Sequence, residues 1–239
     1  MSHSEELLER IRSRTARVGV IGLGYVGLPL ALIFEEAGFP VIGFDVDPAK
    51  PEALHRGESY IRHIGAEKVA AAFARGHLVA TTDFDRLGEC DAILICVPTP
   101  LGKHREPDLS FIRSTAEKVA ARARPGQLVV LESTTYPGTT REEVVPPLEA
   151  RGLRPGQEVF VAFSPEREDP GNPSFHTRNI PKVVGGLDPA SQELATTLYA
   201  AAVETVVPVS SPEVAQAAKL LENIFRAVNI ALANEMKLV

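Results

Sequence analysis

The chain has 239 residues, about 1.6 domains at roughly 150 residues each. At 44% hydrophobic and 23% charged residues its composition is that of a globular protein, which excludes a disordered or collagen-like chain. Lys and Arg number 25 against 31 Asp and Glu, a net charge of −6, so there is no basic field to hold a polyanion and nucleic-acid binding through phosphates is disfavoured. The two cysteines, Cys90 and Cys96, form neither a disulfide framework nor a metal knuckle, and the histidines (3, 55, 63, 77, 104 and 176) show no ligand spacing. No metal site is therefore predicted. No apolar run reaches the length of a membrane span. Residues 1–16 lack the apolar core of a signal peptide, and the expected setting is cytoplasmic and reducing.

Residues 2–14 are predicted to form a short amphipathic helix, with Ser2 and Glu5 spaced as a capping box. It is expected to be an appendage covering residues 1–16. From Arg17 a rhythm begins. Apolar runs at 17–24, 40–45, 77–82, 91–97, 127–133, 158–164, 182–186 and 204–209 are apolar throughout rather than alternating, as strands covered on both faces are. Helical patterns lie between them near 26–37, 66–75, 109–123, 139–150 and 189–202. Gly38, Gly76, Gly126 and Gly152 stand where such helices stop. The prediction is an α/β domain over 17–210, a Rossmann-like doubly wound, mainly parallel sheet. From Ser211 the chain has no glycine, and apolar residues from Val214 to Met236 recur at three and four. This predicts a helix of roughly 40 Å that runs to the last residue with no stop signal, the start of a long central helix over 211–239.

Chemistry enters at Gly22-Leu23-Gly24-Tyr25-Val26-Gly27, a G-x-G-x-x-G between the first strand and the first helix that follows it. The first glycine permits a tight turn, the second a close approach of backbone to a pyrophosphate, and the third close packing of helix on strand. The helix N-terminus then offers N–H groups and a positive dipole end to phosphates. Asp45 ends the second strand, 18 residues after Gly27. A carboxylate there accepts both hydroxyls of an adenosine ribose and repels a 2′-phosphate, which favours NAD over NADP. The plain alternative is a packing turn and an ordinary strand-end acid. Lys50 either reaches the adenosine phosphates or is a solvated lysine.

Further stretches accompany the glycine loop GLGYVGLPLA (22–31): CVPTPLGKHREPDLSFI (96–112), LESTTYPGTT (131–140), FSPEREDPGN (163–172) and AAKLLENIFRAVNIALANE (217–235). Together, and in this order, they resemble the UDP-glucose/GDP-mannose dehydrogenase family, and most of all its UDP-N-acetylglucosamine 6-dehydrogenase branch. The resemblance implies NAD-dependent, two-stage oxidation of a UDP-sugar C6 hydroxyl to a carboxylate, through an aldehyde captured by a cysteine and a thioester that is hydrolysed. The sugar would be that of UDP-N-acetylglucosamine or UDP-glucose. It also implies a homodimer built on the central helix. Among residues, it implies cofactor contacts at Gly22, Gly24, Tyr25, Val26, Gly27, Asp45, Lys50, Val97, Thr99 and Thr134. Thr134 would also help hold the water of proton transfer, Glu166 would be the acid near it, and Lys219 and Asn223 would bracket the C6 oxygen.

Lys219 and Asn223 are spaced i, i+4 and share one helix face, where an ammonium and an amide stabilise a developing oxyanion; spacing alone equally describes a solvent-facing polar pair. Glu166 follows a strand at the sheet edge where ligands bind, or is a surface acid. Thr99 between two prolines and Thr134 before Pro137-Gly138 are alternatively turn residues, and His104 lies in a basic loop that is diphosphate-facing or simply solvated. Two features depart from the family pattern. Pro170 replaces a glutamate found in some relatives, which puts glucose in doubt. No Gly-x-Cys context is present, and Cys90 and Cys96 are expected to be buried structural thiols, so the chain alone is expected to bind NAD without completing the oxidation. Two other readings of the same residues are a β-hydroxyacid dehydrogenase using Lys219 and Asn223, and a non-catalytic NAD-binding module.

Overall fold

A computed structural model describes residues 1–103, 106–166 and 178–238. All eight apolar runs are strands: β1 (Val18–Ile21), β2 (Val41–Phe44), β3 (Leu78–Thr81), β4 (Ala92–Ile95), β5 (Gln127–Leu131), β6 (Val159–Phe163), β7 (Lys182–Gly186) and β8 (Val206–Val209). They form one sheet in the order β3-β2-β1-β4-β5-β6-β7-β8. Pairing is parallel from β3 through β6, reverses between β6 and β7, and is parallel again between β7 and β8. The six inner strands β1, β2, β4, β5, β6 and β7 are buried at every position, the physical reason their sequences are largely apolar without alternation. Successive side chains go to opposite faces. Leu128 and Val130 join one core cluster, while Val129 and Leu131 join the other. Val79 of edge strand β3 and Val207 of edge strand β8 are exposed.

The helices are α1 (His3–Arg12), α2 (Gly27–Glu36), α3 (Ala49–His55), α4 (Ala66–Ala74), α5 (Ser110–Arg122), α6 (Val145–Ala150), α7 (Pro189–Ala200) and α8 (Pro212–Leu238). A 3₁₀ turn covers Phe84–Glu89, and a π-helical turn, Thr140–Val144, leads into α6. The expected helix over 139–150 is thus two elements. Helix α3 is an addition to the sequence expectation; seven residues opening on Pro48 are too few for helical periodicity to show. Gly38, Gly76, Gly126 and Gly152 all have positive φ. Asp188 caps α7 by accepting from the Ala190 and Ser191 N–H groups.

The capping box of α1 is present, with Ser2 and Glu5 each accepting from the other's backbone. The helix is nevertheless no appendage. Leu7 and Ile11 are buried in the core cluster that holds Leu194 and Leu198 of α7, worth roughly 1.5–3 kcal/mol for each such side chain. Arg10 donates to Asp91 at 2.6 Å, and Asp91, itself buried, also accepts from Arg124 at 2.7 Å and from the Arg17 N–H at 2.7 Å. One buried carboxylate just before β4 therefore ties α1, β1 and the start of β5 together. Removing it would strand three donors, a far larger cost than loss of an exposed ion pair.

Helix α8 behaves differently. Pro212, Ala215 and Gln216 are buried, whereas Leu221, Ile224, Phe225, Val228, Leu232 and Met236 are all more than half exposed. Its first turns dock on the sheet, and its apolar stripe then runs on with no cover from the described residues.

Candidate functional site at the carboxyl edge of the sheet

The order β3-β2-β1-β4 places between the parallel strands β1 and β4 the point where the strand order reverses, and in such sheets the crevice at the carboxyl ends of the two strands is where ligands bind. The glycine loop after β1 fills one side of that crevice. Gly22 has φ +92°, and a Cβ there would lie 2.6 Å from the Cys96 carbonyl at the end of β4. Gly27 opens α2, and a Cβ on it would lie 1.9 Å from the Gly22 carbonyl. Gly24 is different: a Cβ there would meet nothing within 4 Å. Two glycines are thus demanded by the protein's own packing, and the middle one faces open space. Tyr25 is two-thirds exposed, its ring stacked on that of His63. Val26 takes the N-cap position of α2, which has no side-chain cap and no acid in its first turn; the Leu28 N–H donates to the Gly24 carbonyl at 3.1 Å and Pro29 has no N–H, so what the helix start offers an anion is chiefly its positive dipole end.

Asp45 follows β2 and is 4% exposed. Its Oδ2 accepts from the Leu23 N–H at 2.8 Å and from Lys50 Nζ at 2.8 Å, and its Oδ1 accepts from the Asp47 N–H at 3.0 Å. The carboxylate is therefore fixed against the glycine loop itself. Lys50, in the first turn of α3, is its ion-pair partner and not a solvated lysine. Tyr60 donates to the Leu23 carbonyl at 2.7 Å; burial, and then Asp45, hold its phenol above the ordinary value. The segment between α3 and α4 thereby braces the loop from outside.

Across the crevice, the loops after β4 and β5 are stitched together. Thr99 Oγ1 donates to the Thr134 carbonyl at 2.9 Å, and Ser133 Oγ donates to the Val97 carbonyl at 2.7 Å. Val97, Thr99 and Thr134 are each partly exposed. The structure thus uses Thr134 through its backbone, while the buried neighbour Thr135, which sequence reasoning passed over, uses its hydroxyl. Thr135 Oγ1 accepts from Gln216 Nε2 at 3.3 Å. The same amide donates to Thr140 Oγ1 at 3.0 Å, and Gln216 Oε1 accepts from the Gly138 N–H at 2.9 Å. Gln216, Lys219 and Asn223 stand at i, i+3 and i+7 and form one stripe of α8. Docking of Gln216 aims that stripe toward the β5 loop. Lys219 is partly buried and Asn223 exposed.

Glu166 follows β6 and lies beside an ionic cluster in the interior. Lys182 Nζ donates to Glu132 Oε2 at 2.5 Å and to the Pro165 carbonyl at 3.4 Å, and lies 3.6 Å from Glu166 Oε2. Tyr199 donates to the other oxygen of Glu132. Burial opposes the charge on Lys182, but Glu132 and then Glu166 outweigh it and hold the ammonium above its ordinary value. Sequence reasoning missed this cluster. Its only signal was one acid at the end of the VVLES run and one base at the start of KVVGG, both in otherwise apolar strands.

Cys96 lies under the glycine loop, with its Cβ 3.3 Å from the position a Gly27 Cβ would take. Its thiol is pushed well up by burial and then by Glu132. Cys90 packs against Gly19, and burial raises its thiol to about 12. Both are small buried fillers, inert as nucleophiles. Pro170 and His104 lie outside the described residues. Among the described residues no cluster of His, Cys, Asp and Glu could hold a metal ion, and no helix is long and apolar enough to cross a membrane. The open clefts on the flank of α4 are lined by residues such as Glu35, Arg75 and His77, the last of which precedes β3, so they lie away from the crevice.

An open Gly24, an uncapped helix start and a buried acid bonded to the loop fit a dinucleotide, with the pyrophosphate on the helix N-terminus and the ribose at Asp45. Fold and crevice together define a Rossmann-type dinucleotide-binding domain. Residues 16–203 match the NAD binding domain of the UDP-glucose/GDP-mannose dehydrogenase family. The chain belongs to that family, and its cofactor is NAD. It is 37% identical over 225 residues to the UDP-N-acetyl-D-glucosamine 6-dehydrogenase of Pseudomonas aeruginosa, covering 93% of this chain and 52% of that protein. It superimposes with a TM-score of 0.86 on the NDP-N-acetyl-D-galactosaminuronic acid dehydrogenase of Methanosarcina mazei Go1, at 35% identity over 99% of this chain and 52% of the other. The UDP-D-ManNAc dehydrogenase of Pyrococcus horikoshii gives the same TM-score and identity over 92% of this chain and 52% of that one. The chain spans about half the length of the relatives it matches.

Proposed function

We propose that this chain is the cofactor-binding part of an NAD-dependent UDP-sugar 6-dehydrogenase that oxidises the C6 hydroxyl of UDP-N-acetylglucosamine or UDP-glucose to the uronic acid. The observation that carries this reading is the glycine loop bonded to Asp45, with the stitched loops after β4 and β5 and Glu166 at the same sheet edge; the bonding of Gln216 to the β5 loop, one helical turn before Lys219, supports a place for Lys219 and Asn223 beside them. Bound NAD supplies the hydride acceptor. The chain's own residues supply the rest. Lys219 and Asn223 hold the C6 oxygen as negative charge develops on it, and Thr134 and Glu166 hold the water through which its proton leaves. The alternative of a β-hydroxyacid dehydrogenase accounts for Lys219 and Asn223 but leaves the loop after β5 and the Ser-Pro-Glu segment without a role.

Thioester chemistry needs an accessible thiolate, and neither Cys90 nor Cys96 provides one. These 239 residues accordingly bind NAD and do not complete the oxidation by themselves. The uncovered apolar stripe of α8 supports homodimerisation through that helix, and the setting is cytoplasmic. The test is NADH production by the protein expressed from its whole reading frame, with UDP-N-acetylglucosamine and UDP-glucose as substrates. Turnover with either supports the proposal. NAD binding without turnover on any UDP-hexose refutes it in favour of a non-catalytic module, and turnover on a short 3-hydroxy acid refutes it in favour of the other dehydrogenase class.

A further inference from the structure

We propose that Lys182 is a positioning residue for Glu166, a role that rests on the function proposed above. The placement follows from topology. Because β7 runs antiparallel to β6, its first residue lies at the carboxyl edge of the sheet, where the first residue of a parallel strand would lie at the opposite edge. The register pairs Ala162 with Gly186 and Phe163 with Gly185; counted on by three residues, it sets Glu166 opposite Lys182. The ammonium is 4% exposed and Glu132 fully buried. One carboxylate at 2.5 Å already neutralises that charge, and Tyr199 already fills the other oxygen of Glu132. Yet Nζ also spans to the Pro165 carbonyl at 3.4 Å and to Glu166 Oε2 at 3.6 Å. The buried pair is thus an anchor on β5 and α7 from which one cation reaches into the Ser-Pro-Glu segment.

Glu166 is 13% exposed and lies three residues past the end of β6. Its Oε2 lies 3.6 Å from the fixed ammonium, and in this little-exposed place the attraction between the two charges is weakly screened and draws that oxygen toward Lys182. Displacement by about 1 Å of a group that acts on a proton is enough to cost on the order of 10²-fold in rate.

The test uses the protein expressed from its whole reading frame. Lys182→Met alone leaves Glu132 as an uncompensated buried charge and can fail to fold. The informative variant is therefore Lys182→Met combined with Glu132→Gln, which removes the pair as a unit and keeps an acceptor for Tyr199. Crystal structures of wild type and this variant are expected to show the Glu166 carboxylate moved by more than about 1 Å. The kcat is expected to fall about 10²-fold with KM for NAD unchanged, Lys182→Arg is expected to retain most of the rate, and Glu166→Gln added to the pair variant is expected to cause no further fall. An unmoved Glu166, or an equal fall in kcat with and without the Glu166 carboxylate, overturns the proposal. If the wild-type protein turns over no UDP-hexose, the proposed function fails, and the position of Glu166 in the two crystal structures decides the role of Lys182 independently.

Discussion

Alanine in place of Gly24 and of Gly27 separates what the glycine loop does for the fold from what it does for NAD. A Cβ at Gly27 would lie 1.9 Å from the Gly22 carbonyl oxygen, 3.0 Å from its carbon and 3.3 Å from Cys96 Cβ. The nearest of these is backbone held at a φ of +92°, so no side chain can rotate away. Contacts under 3.0 Å do not occur for real Cβ atoms, and the helix start must therefore retreat by 3.0 − 1.9 = 1.1 Å. Overpacking of this kind costs roughly 1–3 kcal/mol. The upper end applies to rigid backbone, and at about 2–4 °C per kcal/mol for a chain of this size the melting temperature falls by roughly 6–12 °C. Gly24→Ala meets nothing within 4 Å, and its φ is not in the left-handed region. Its stability should stay within about 1 kcal/mol of wild type, on the favourable side through the lower entropy of the unfolded chain. Its methyl group, however, stands where the pyrophosphate approaches. Loss of one charge-assisted hydrogen bond is worth about 1.5–3 kcal/mol, or roughly 10- to 100-fold in affinity. Scanning calorimetry of both variants, and titration calorimetry with NAD, read the two effects separately. A Gly24→Ala protein that binds NAD like wild type, or a Gly27→Ala protein that melts like wild type, refutes the division of labour.

Asp45→Asn removes a charge that holds the Leu23 N–H and Lys50 at once; NAD affinity is expected to drop about tenfold and the NAD-to-NADP preference to narrow, as fluorescence titration with both nucleotides would show, and an unchanged preference would locate specificity elsewhere. The buried thiols predict an alkaline limb in stability. Cys90 has its thiol raised to about 12 in the fold and near 8.5 when unfolded, so above that lower value the unfolded chain gives up its proton first. Stability is whole below it and is lost as pH rises toward 12, by about 1.4 kcal/mol per pH unit. Urea denaturation against pH should show an alkaline fall at least this steep, since the Cys96 thiol is raised too, and Cys90→Ala should lower its slope by about 1.4 kcal/mol per pH unit; iodoacetamide labelling of the native chain near neutral pH would contradict the burial that causes it.

The eight strands, most of the helices and the glycine loop were legible in the sequence because their causes are local. Burial on both faces forces continuous apolar runs, a helix stop asks for glycine, and a turn against a strand end leaves no room for a Cβ at Gly22 or Gly27. Asp45 was legible for the same reason, since its distance from the loop is set by one helix and one strand. Helix α3 was too short for periodicity, and the partnership of Lys50 with Asp45 therefore stayed out of view. The docking of α1 was hidden because an amphipathic stripe does not say what covers it. Thr134 and Thr135 read alike as letters and are told apart only by Gln216, about 80 residues away along the chain.

What the tertiary structure alone decided is the direction of β7 and everything that follows from it. An apolar pentapeptide reads the same whether its strand runs parallel or antiparallel. Only the assembled sheet turns Lys182 toward the carboxyl edge, pairs it with Glu132 from 50 residues earlier and brings it to Glu166. Ion pairs of that span depend on chain topology, which local periodicity does not encode.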